Sequence, residues 1–180
     1  KKAECKSMSA AECNGFSMAT ALKALKKSDP ELIPLLDAFN IQDLEVKTNY
    51  FQALVRSIIY QQLSGKAAQT IAQRFKTLFA GTELPGPHDV VIKDHQTLRS
   101  AGLSNSKASY IHNIAHAFLN GTIDHKNLGS MSNSEIVDQL TSVKGVGPWT
   151  AQMFLMFTLN RPDIFPTTDL GIQKGYQKFY

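Results

Sequence analysis

Residues 140–151 read Leu140-Thr-Ser-Val-Lys-Gly-Val-Gly-Pro-Trp-Thr-Ala151, and this stretch decides the fold. The apolar pattern before it predicts a helix that ends near Thr141. Gly145 and Gly147 then permit a tight turn, because glycine adopts positive φ and leaves its backbone amides uncovered. Pro148 suits the first turn of a following helix, where its missing amide is not needed. The stretch therefore predicts two helices joined by a glycine hairpin.

The predicted hairpin has the chemistry of an anion site. Amides at the amino end of a helix converge there, and the helix dipole favours negative charge. Lys144 adds a cation beside the turn, so the natural ligand is a DNA phosphate, contacted without reading base sequence. An ordinary αα-hairpin remains the alternative, since Gly-x-Gly alone is weak evidence. The residues of this phosphate-binding hairpin are Val143, Lys144, Gly145, Val146 and Gly147.

Helical spacing of apolar residues extends along almost the whole chain, and no segment alternates as a strand. Helices are predicted over 17–27, 30–39, 50–62, 94–101 and from 148 to about 159. Others are expected after capping residues at Ser64, Ser104, Ser132 and Asp169, with a loop over 81–87. We expect an all-α domain of about nine or ten short helices. A polar amino-terminal tail should cover 1–15, and the helical domain 16–180.

Composition narrows the class of protein without naming it. The net charge of +4 is concentrated in residues 1–27, which carry six lysines and two glutamates. It is compatible with DNA binding and does not establish it. No apolar run approaches the roughly 20 residues that cross a bilayer, and no signal peptide is visible, so we expect an intracellular protein with no membrane partner.

Metal and redox chemistry have little support in the sequence. The two cysteines, Cys5 and Cys13, are too few for a four-cysteine iron–sulfur site and are interpreted as ordinary thiols. His112 and His116 are spaced i,i+4 but lack the glutamate of an HExxH frame. We therefore expect no metal site.

Three separated motifs resemble one known family. Residues 140–151 are similar to the helix-hairpin-helix of the DNA glycosylase superfamily named for that motif, a Gly/Pro-rich loop and an aspartate. Residues 160–172 resemble that loop, and Asp169 falls at the catalytic aspartate. Residues 54–68 and 102–107 resemble the 3-methyladenine DNA glycosylase II branch. The resemblance covers about 50–180 and implies a two-lobed fold, with the active site between the lobes and the helix-hairpin-helix at about 133–159.

The resemblance implies a catalytic role for Asp169. On its own the residue is better interpreted as a helix N-cap. The two roles are compatible, because a helix amino end keeps a carboxylate ionised. Positive charge builds on the sugar as a base leaves, and an anion at this position stabilises it.

Trp149 stands where bifunctional members of the superfamily carry a Schiff-base lysine. Without that amine the chain is expected to be monofunctional, with no lyase activity. The indole is assigned to the base pocket, because an electron-rich ring attracts a positively charged alkylated purine. Tyr60 is assigned to the same pocket. A core tryptophan is the alternative, with nearly equal weight.

The remaining predicted contacts lie near the junction of two helices. Family precedent places a DNA wedge at Leu63, which would fill the hole left by a flipped base, while Gln62 would bond to the orphaned opposite base. A buried leucine at a helix turn is the alternative. Weaker candidates for contacts to the DNA backbone are Ser64, Lys66, Ser104 and Lys107.

The implied function is monofunctional hydrolysis of alkylated purines, such as 3-methyladenine and 7-methylguanine, from double-stranded DNA. The alternatives are a glycosylase-like protein that binds lesions or abasic DNA without cutting, and a purely structural helix-hairpin-helix module. No cofactor is expected to be required, although family precedent permits a monovalent cation between hairpin carbonyls and a phosphate. We expect the protein to be located in the cytoplasm and nucleoid of a bacterium, or in the nucleus of a eukaryote.

Family members usually continue for some dozens of residues beyond the helix that carries the aspartate, whereas this sequence stops at Tyr180. We therefore expect a chain truncated at its carboxyl end. It should be a monomer, unless another chain covers the apolar surface that the missing helices would cover.

Overall fold

The computed structural model describes residues 17–44, 47–79 and 85–180. These residues form ten α-helices and one 3-10 helix, at Pro30–Leu32, joined by loops. The described residues contain no strand. The α-helices are α1 (Met18–Ser28), α2 (Ile33–Asp37), α3 (Tyr50–Tyr60), α4 (Gly65–Thr77), α5 (Pro87–Val91), α6 (His95–Ser100), α7 (Asn105–Leu119), α8 (Asn133–Thr141), α9 (Pro148–Phe157) and α10 (Leu170–Phe179). The all-α prediction is confirmed, and the polar tail over 1–15 lies outside the described residues.

Side-chain caps set several of these boundaries. The predicted capping box before α8 is confirmed, since the Glu135 amide donates to Ser132 Oγ and the Ser132 amide donates to Glu135 Oε2 at 2.8 Å. Ser104 Oγ accepts from the Lys107 amide at the start of α7. Ser64 occupies the N-cap position of α4, but its side chain makes no capping hydrogen bond. These caps satisfy amides that would otherwise lack a partner.

Helix α5 is a difference from the sequence prediction, which placed a loop up to residue 87. It begins at Pro87, and the Asp89 carboxylate accepts from the Gly86 amide at 2.8 Å. Only Val90 of its five residues is buried. A single buried residue produces no periodic apolar pattern, so apolar spacing gave no signal for this helix. Pro87 at its first position was a local cue for a helix start that the sequence prediction did not use.

The hydrophobic core lies among α3 to α9. Ten of its largest completely buried side chains come from five helices and one connecting loop: Leu54 and Ile58 of α3, Leu98 of α6, Ile111 and Ile114 of α7, Ile136 and Leu140 of α8, Leu155 of α9, and Ile123 and Leu128 between α7 and α8. No residue of α1, α2 or α10 is buried. The molecule therefore has a large lobe built from α3 to α9 and a smaller set of peripheral helices.

The peripheral helices are held by polar contacts. Lys26 of α1 forms an ion pair with Asp37 of α2, and the hydroxyl of Tyr180 donates to Asp29. The Asn160 side chain, in the loop after α9, donates to the Leu44 carbonyl at 3.0 Å. This places the loop that precedes Asp169 between the two groups of helices. None of the described helices is long and apolar enough to cross a membrane.

Candidate active site

Asp169 caps the amino end of α10, at the end of the loop that follows α9. Its Oδ1 accepts from the amides of Gly171 at 2.8 Å and Ile172 at 3.0 Å. The predicted N-cap role is confirmed. Because a capped carboxylate is oriented by the helix backbone, the second oxygen, Oδ2, points away from α10 and is available to other groups.

That second oxygen accepts a hydrogen bond from the indole of Trp149, the second residue of α9. Trp149 Nε1 donates to Asp169 Oδ2 at 2.8 Å. The tryptophan is 39% exposed, so the alternative of a core tryptophan is wrong. The amino ends of α9 and α10 are thus joined through a single indole–carboxylate pair.

These hydrogen bonds lower the pKa of Asp169 below its ordinary value of 3.8. The largest cause is the bond from the Ile172 amide, followed by that from the Trp149 indole. Both stabilise the ionised form, and partial desolvation opposes them. The carboxylate is charged at neutral pH.

Tyr60, the other residue predicted for the base pocket, lines a cavity of about 690 Å³ between α3 and α9. Met153 and Phe157, one and two helical turns after Trp149, also line this cavity. Trp149 and Asp169 are not part of its lining. The guanidinium of Arg56 lies 4.4 Å from the Tyr60 ring centroid. One face of Tyr60 is therefore already occupied by a cation, which weakens the interpretation of this ring as a partner for a cationic base.

The wedge turn, residues 61–64, connects α3 to α4. Gln62 is a non-glycine residue with φ of +54°, and Leu63 is 39% exposed. The alternative of a buried leucine is therefore wrong, and Leu63 presents an apolar side chain to solvent. Ser64 and Lys66 are exposed beside it at the start of α4.

Two side-chain contacts fix the wedge turn from neighbouring helices. Lys107 Nζ donates to the carbonyls of Ile59 at 2.8 Å and Gln61 at 2.7 Å. Gln61 Nε2 donates to Thr150 Oγ1 of α9 at 3.1 Å. The amine that was predicted to contact DNA thus has partners within the protein, and Ser104 serves as the cap of α7.

The hairpin turn, residues 143–147, joins α8 to α9 as the sequence predicted. Val143 and Val146 are buried, and the Val146 amide donates to the Val143 carbonyl at 3.0 Å. Gly145 has φ of +110°, and a Cβ there would lie 2.2 Å from Cγ of Tyr110. Glycine is required at this position for both reasons.

The hairpin turn presents polar backbone groups on its outer side. Lys144 and Gly147 are exposed. The first amides of α9 after Pro148, those of Trp149 and Thr150, have no acceptor within the helix. These amides and the Lys144 amine have the chemistry that a phosphate requires.

Backbone oxygens of the same turn fit the monovalent cation that family precedent permits. The Val143 carbonyl accepts one hydrogen bond from Val146, and the Lys144 carbonyl accepts one from Asn113 Nδ2 at 3.1 Å. Each carbonyl oxygen has a second lone pair, and such oxygens are the ligands that hard cations prefer. No group of three or more His, Cys, Asp or Glu side chains with metal-site geometry occurs in the part of the chain that the structure describes.

Four functional candidates were missed by sequence reasoning. Gln61, Thr150, Tyr110 and Asn113 each support one of the two turns through a partner at least 31 residues away. No local pattern marks such pairs, because their proximity arises only from tertiary packing.

Residues 55–180 match the HhH-GPD superfamily of base excision DNA repair proteins. DNA-3-methyladenine glycosylase 1 of Schizosaccharomyces pombe is 34% identical over 157 residues, which cover 87% of this chain and 69% of that protein. DNA-3-methyladenine glycosylase of Saccharomyces cerevisiae is 33% identical over 180 residues, covering 91% of this chain and 60% of that protein. The chain therefore spans about two thirds of the length of these two relatives.

A solved structure gives the same result for the fold. The 3-methyladenine DNA glycosylase of Schizosaccharomyces pombe in complex with abasic DNA superposes with a TM-score of 0.80 at 31% identity, over 89% of this chain and 80% of that one. The predicted helix-hairpin-helix glycosylase fold is confirmed.

Proposed function

Because the chain belongs to the HhH-GPD superfamily of base excision DNA repair proteins, we propose that it is a monofunctional DNA glycosylase that removes alkylated purines. Its partner would be double-stranded DNA that contains bases such as 3-methyladenine or 7-methylguanine. The observation that carries the proposal is the pair formed by Trp149 and the ionised Asp169 at the amino end of α10.

The chemistry follows from charge. An alkylated purine carries positive charge, so it leaves as a neutral base when the bond from N9 to C1′ breaks and the purine keeps the electron pair. The positive charge moves to the sugar, where the Asp169 carboxylate stabilises it, and water then bonds to C1′ and loses a proton to the solvent. Because its pKa is lowered, Asp169 acts mainly as a fixed negative charge and is a poor proton acceptor.

Lyase activity is not expected. A lyase forms a Schiff base through an amine, and the indole of Trp149 has none at the corresponding position. Lys144 lies five residues earlier, on the hairpin turn, where it faces the proposed phosphate. The product would therefore be an abasic site in an unbroken strand.

DNA would be held at the two turns described above. The outer amides of the hairpin turn and Lys144 suit a phosphate, and Leu63 suits insertion into the duplex after a base has flipped out. Gln62, Ser64, Lys66 and Ser104 are further proposed contacts. A monovalent cation on the hairpin carbonyls would add positive charge near that phosphate, and no other cofactor is proposed.

The proposed enzyme works as a monomer wherever the cell keeps its DNA, the nucleoid of a bacterium or the nucleus of a eukaryote. Sedimentation of the free protein and of its DNA complex tests the monomer. A second candidate function, binding of abasic DNA without base release, uses the same turns and is separated from the first by its lack of product.

The proposal is tested by product analysis. Methylated duplex DNA is incubated with the full chain, released bases are separated by chromatography, and the strands are resolved on a denaturing gel before and after alkaline cleavage of abasic sites. Free methylpurines with strands that break only after alkali support a monofunctional glycosylase. Strands that break without alkali contradict the monofunctional assignment, and binding without released bases favours the second candidate.

A further inference from the structure

Lys107 is the one DNA-contact candidate whose charged group is engaged within the protein. Its amine donates to the carbonyls of Ile59 and Gln61 at 2.8 and 2.7 Å, across 48 and 46 residues of sequence. These oxygens lie at the carboxyl end of α3, where carbonyls lack helical partners and the helix dipole is negative. The lysine therefore caps α3 from a neighbouring helix. Burial also lowers its pKa, as expected for an amine withdrawn from water.

The bond to Gln61 clamps the peptide that immediately precedes a strained residue. Gln62 has φ of +54°, a region that costs a non-glycine residue about 1 kcal/mol or more, and such strain persists only where surrounding contacts enforce it. Within the wedge turn the bond from the Leu63 amide to the Tyr60 carbonyl is 3.4 Å long. Lys107 thus adds two shorter, charge-assisted hydrogen bonds to the residues around this long backbone bond.

Lys107 belongs to a row of residues on one face of α7. Tyr110 follows after three positions and packs against Gly145, and Asn113 follows after three more and donates to the Lys144 carbonyl at 3.1 Å. Residues at i, i+3 and i+6 lie along one side of a helix, so a single rigid element contacts both DNA-binding turns. The spacing between wedge and hairpin is set by this face.

We propose that Lys107 is a positioning residue that holds Leu63 at a fixed distance from the hairpin turn and makes no contact with DNA. This inference rests on the proposed DNA binding of the two turns. It assigns to Lys107 a part in lesion recognition that acts through the wedge turn, and it predicts that the amine is equally inaccessible with and without DNA.

The wild-type chain tests this by lysine footprinting. The free protein and its complex with an abasic duplex are treated briefly with acetic anhydride, and acetylation at Lys107 is measured by mass spectrometry. Lys66, which is exposed beside the wedge turn, is the internal control. We expect Lys107 to react far more slowly than Lys66 in the free protein, with no further protection by DNA. A Lys107 amine that reacts like Lys66 when free, and is protected by DNA, overturns the proposal.

Variants supply the functional test. Lys107→Met removes the donors and keeps the length, Lys107→Arg keeps donors, and Lys66→Met removes a proposed phosphate contact. Each phosphate contact adds about 0.9 to the slope of log affinity against log salt. We expect Lys107→Met to keep the wild-type slope but lose roughly tenfold of the preference for abasic over intact duplex. Lys107→Arg should regain most of that preference, and Lys66→Met should lower the slope.

A slope lowered by about 0.9 in Lys107→Met would make the lysine a phosphate contact and overturn the proposal. An unchanged abasic preference would overturn it as well. Footprinting needs neither folding of a variant nor base release. Absence of glycosylase activity would therefore leave the positioning role standing, while failure of the footprint would leave the proposed activity intact.

Discussion

The hairpin turn and the wedge turn each contain one residue with positive φ, but they reach that conformation in different ways. In the hairpin turn the residue with positive φ is Gly145, at +110°, a value that glycine adopts readily. Tyr110 packs against this glycine. In the wedge turn the left-handed residue is Gln62, and side chains from α7 and α9 hold the turn in place. The left-handed residue of the hairpin turn is thus a glycine, whereas that of the wedge turn is a non-glycine residue, whose conformation is held by tertiary contacts.

This contrast suggests a division of roles. The hairpin turn reaches its backbone conformation because glycine stands at position 145, although Tyr110 and Asn113 of α7 also contact it. A turn held by distant partners depends on the complete core, and its exposed Leu63 is aimed by that core. Substitutions at the glycine of the hairpin turn and at the residues that contact the wedge turn therefore test this difference between the two turns.

The largest effect is expected at the hairpin turn. Gly145→Ala would place a Cβ 2.2 Å from Cγ of Tyr110 and force alanine to φ of +110°, so the free energy of unfolding should fall by about 3 kcal/mol or more. Urea unfolding measures this. Gly175→Ala, in the exposed interior of α10 with open space around it, is the matched control and should stabilise slightly, by about 0.5–1 kcal/mol. Equal stability of the two variants would show that the hairpin turn does not require glycine at position 145.

Next in size is the loss of the wedge. Leu63→Ala removes a side chain that is 39% exposed, so stability should change by less than about 0.5 kcal/mol. Affinity for abasic duplex, measured by fluorescence anisotropy, should fall roughly tenfold because the vacated space is no longer filled. Ile92→Ala, at a side chain that is 79% exposed and lies directly after α5, outside both turns, should bind like the wild type. Unchanged abasic affinity in Leu63→Ala would remove the wedge from the account.

A smaller effect is expected where the two turns are linked. Thr150 is buried and its hydroxyl accepts from Gln61, so Thr150→Val should cost about 1 kcal/mol of unfolding free energy for the lost hydrogen bond. Thr70→Val on the exposed side of α4 serves as the comparison and should change stability by less than about 0.5 kcal/mol. Hydrogen exchange of the wedge turn should also accelerate in Thr150→Val. Two indistinguishable variants would show that this link does not support the wedge turn.

The smallest and most specific effect concerns ionisation. Trp149→Phe keeps an aromatic ring but removes a donor that lowers the pKa of Asp169, so that pKa should rise. Because the pKa of Asp169 is lower in the folded protein, its negative charge stabilises the folded state at pH values above the ordinary pKa of 3.8. This stabilisation is lost as the pH falls through the pKa of the folded protein. The variant should begin to lose it at higher pH.

Carbon NMR of the aspartate carboxyls follows the titration in both proteins. Asp94 provides an internal reference, because it caps α6 through Thr97 and its pKa is lowered by a bond that the substitution leaves intact. Asp169 should shift while Asp94 stays. If Asp169 titrates identically in both proteins, the indole does not stabilise the carboxylate.

Features formed by residues close in sequence could be predicted, whereas contacts between residues far apart in sequence could not. The capping box of Ser132 and Glu135, the glycine turn and the Asp169 cap each involve residues within a few positions, and all three are confirmed. Helix α5 was missed because one buried residue gives no periodicity. The protein contacts of Lys107 were missed because their partners lie 46 and 48 residues away, and a lone lysine gives no sign of where its amine will bind.

The catalytic assignment shows both sides of that division. The N-cap role of Asp169 could be predicted from its position at a helix start, and its proposed catalytic role rests on the family resemblance. Its partner could not, since the Trp149 ring was interpreted only as a pocket wall or a core residue. The indole–carboxylate bond spans 20 residues and depends on how α9 and α10 are placed.

The most direct test of the central claim compares single-turnover release of 7-methylguanine by the wild type, Asp169→Asn and Asp94→Asn. Both variants keep an N-cap acceptor and lose one negative charge, but only one of them lies at the proposed site. Removing a charge that stabilises the transition state should slow release by roughly 100-fold or more in Asp169→Asn, with abasic-DNA affinity retained and Asp94→Asn unaffected. Equal rates in all three proteins would contradict the claim that Asp169 carries the chemistry.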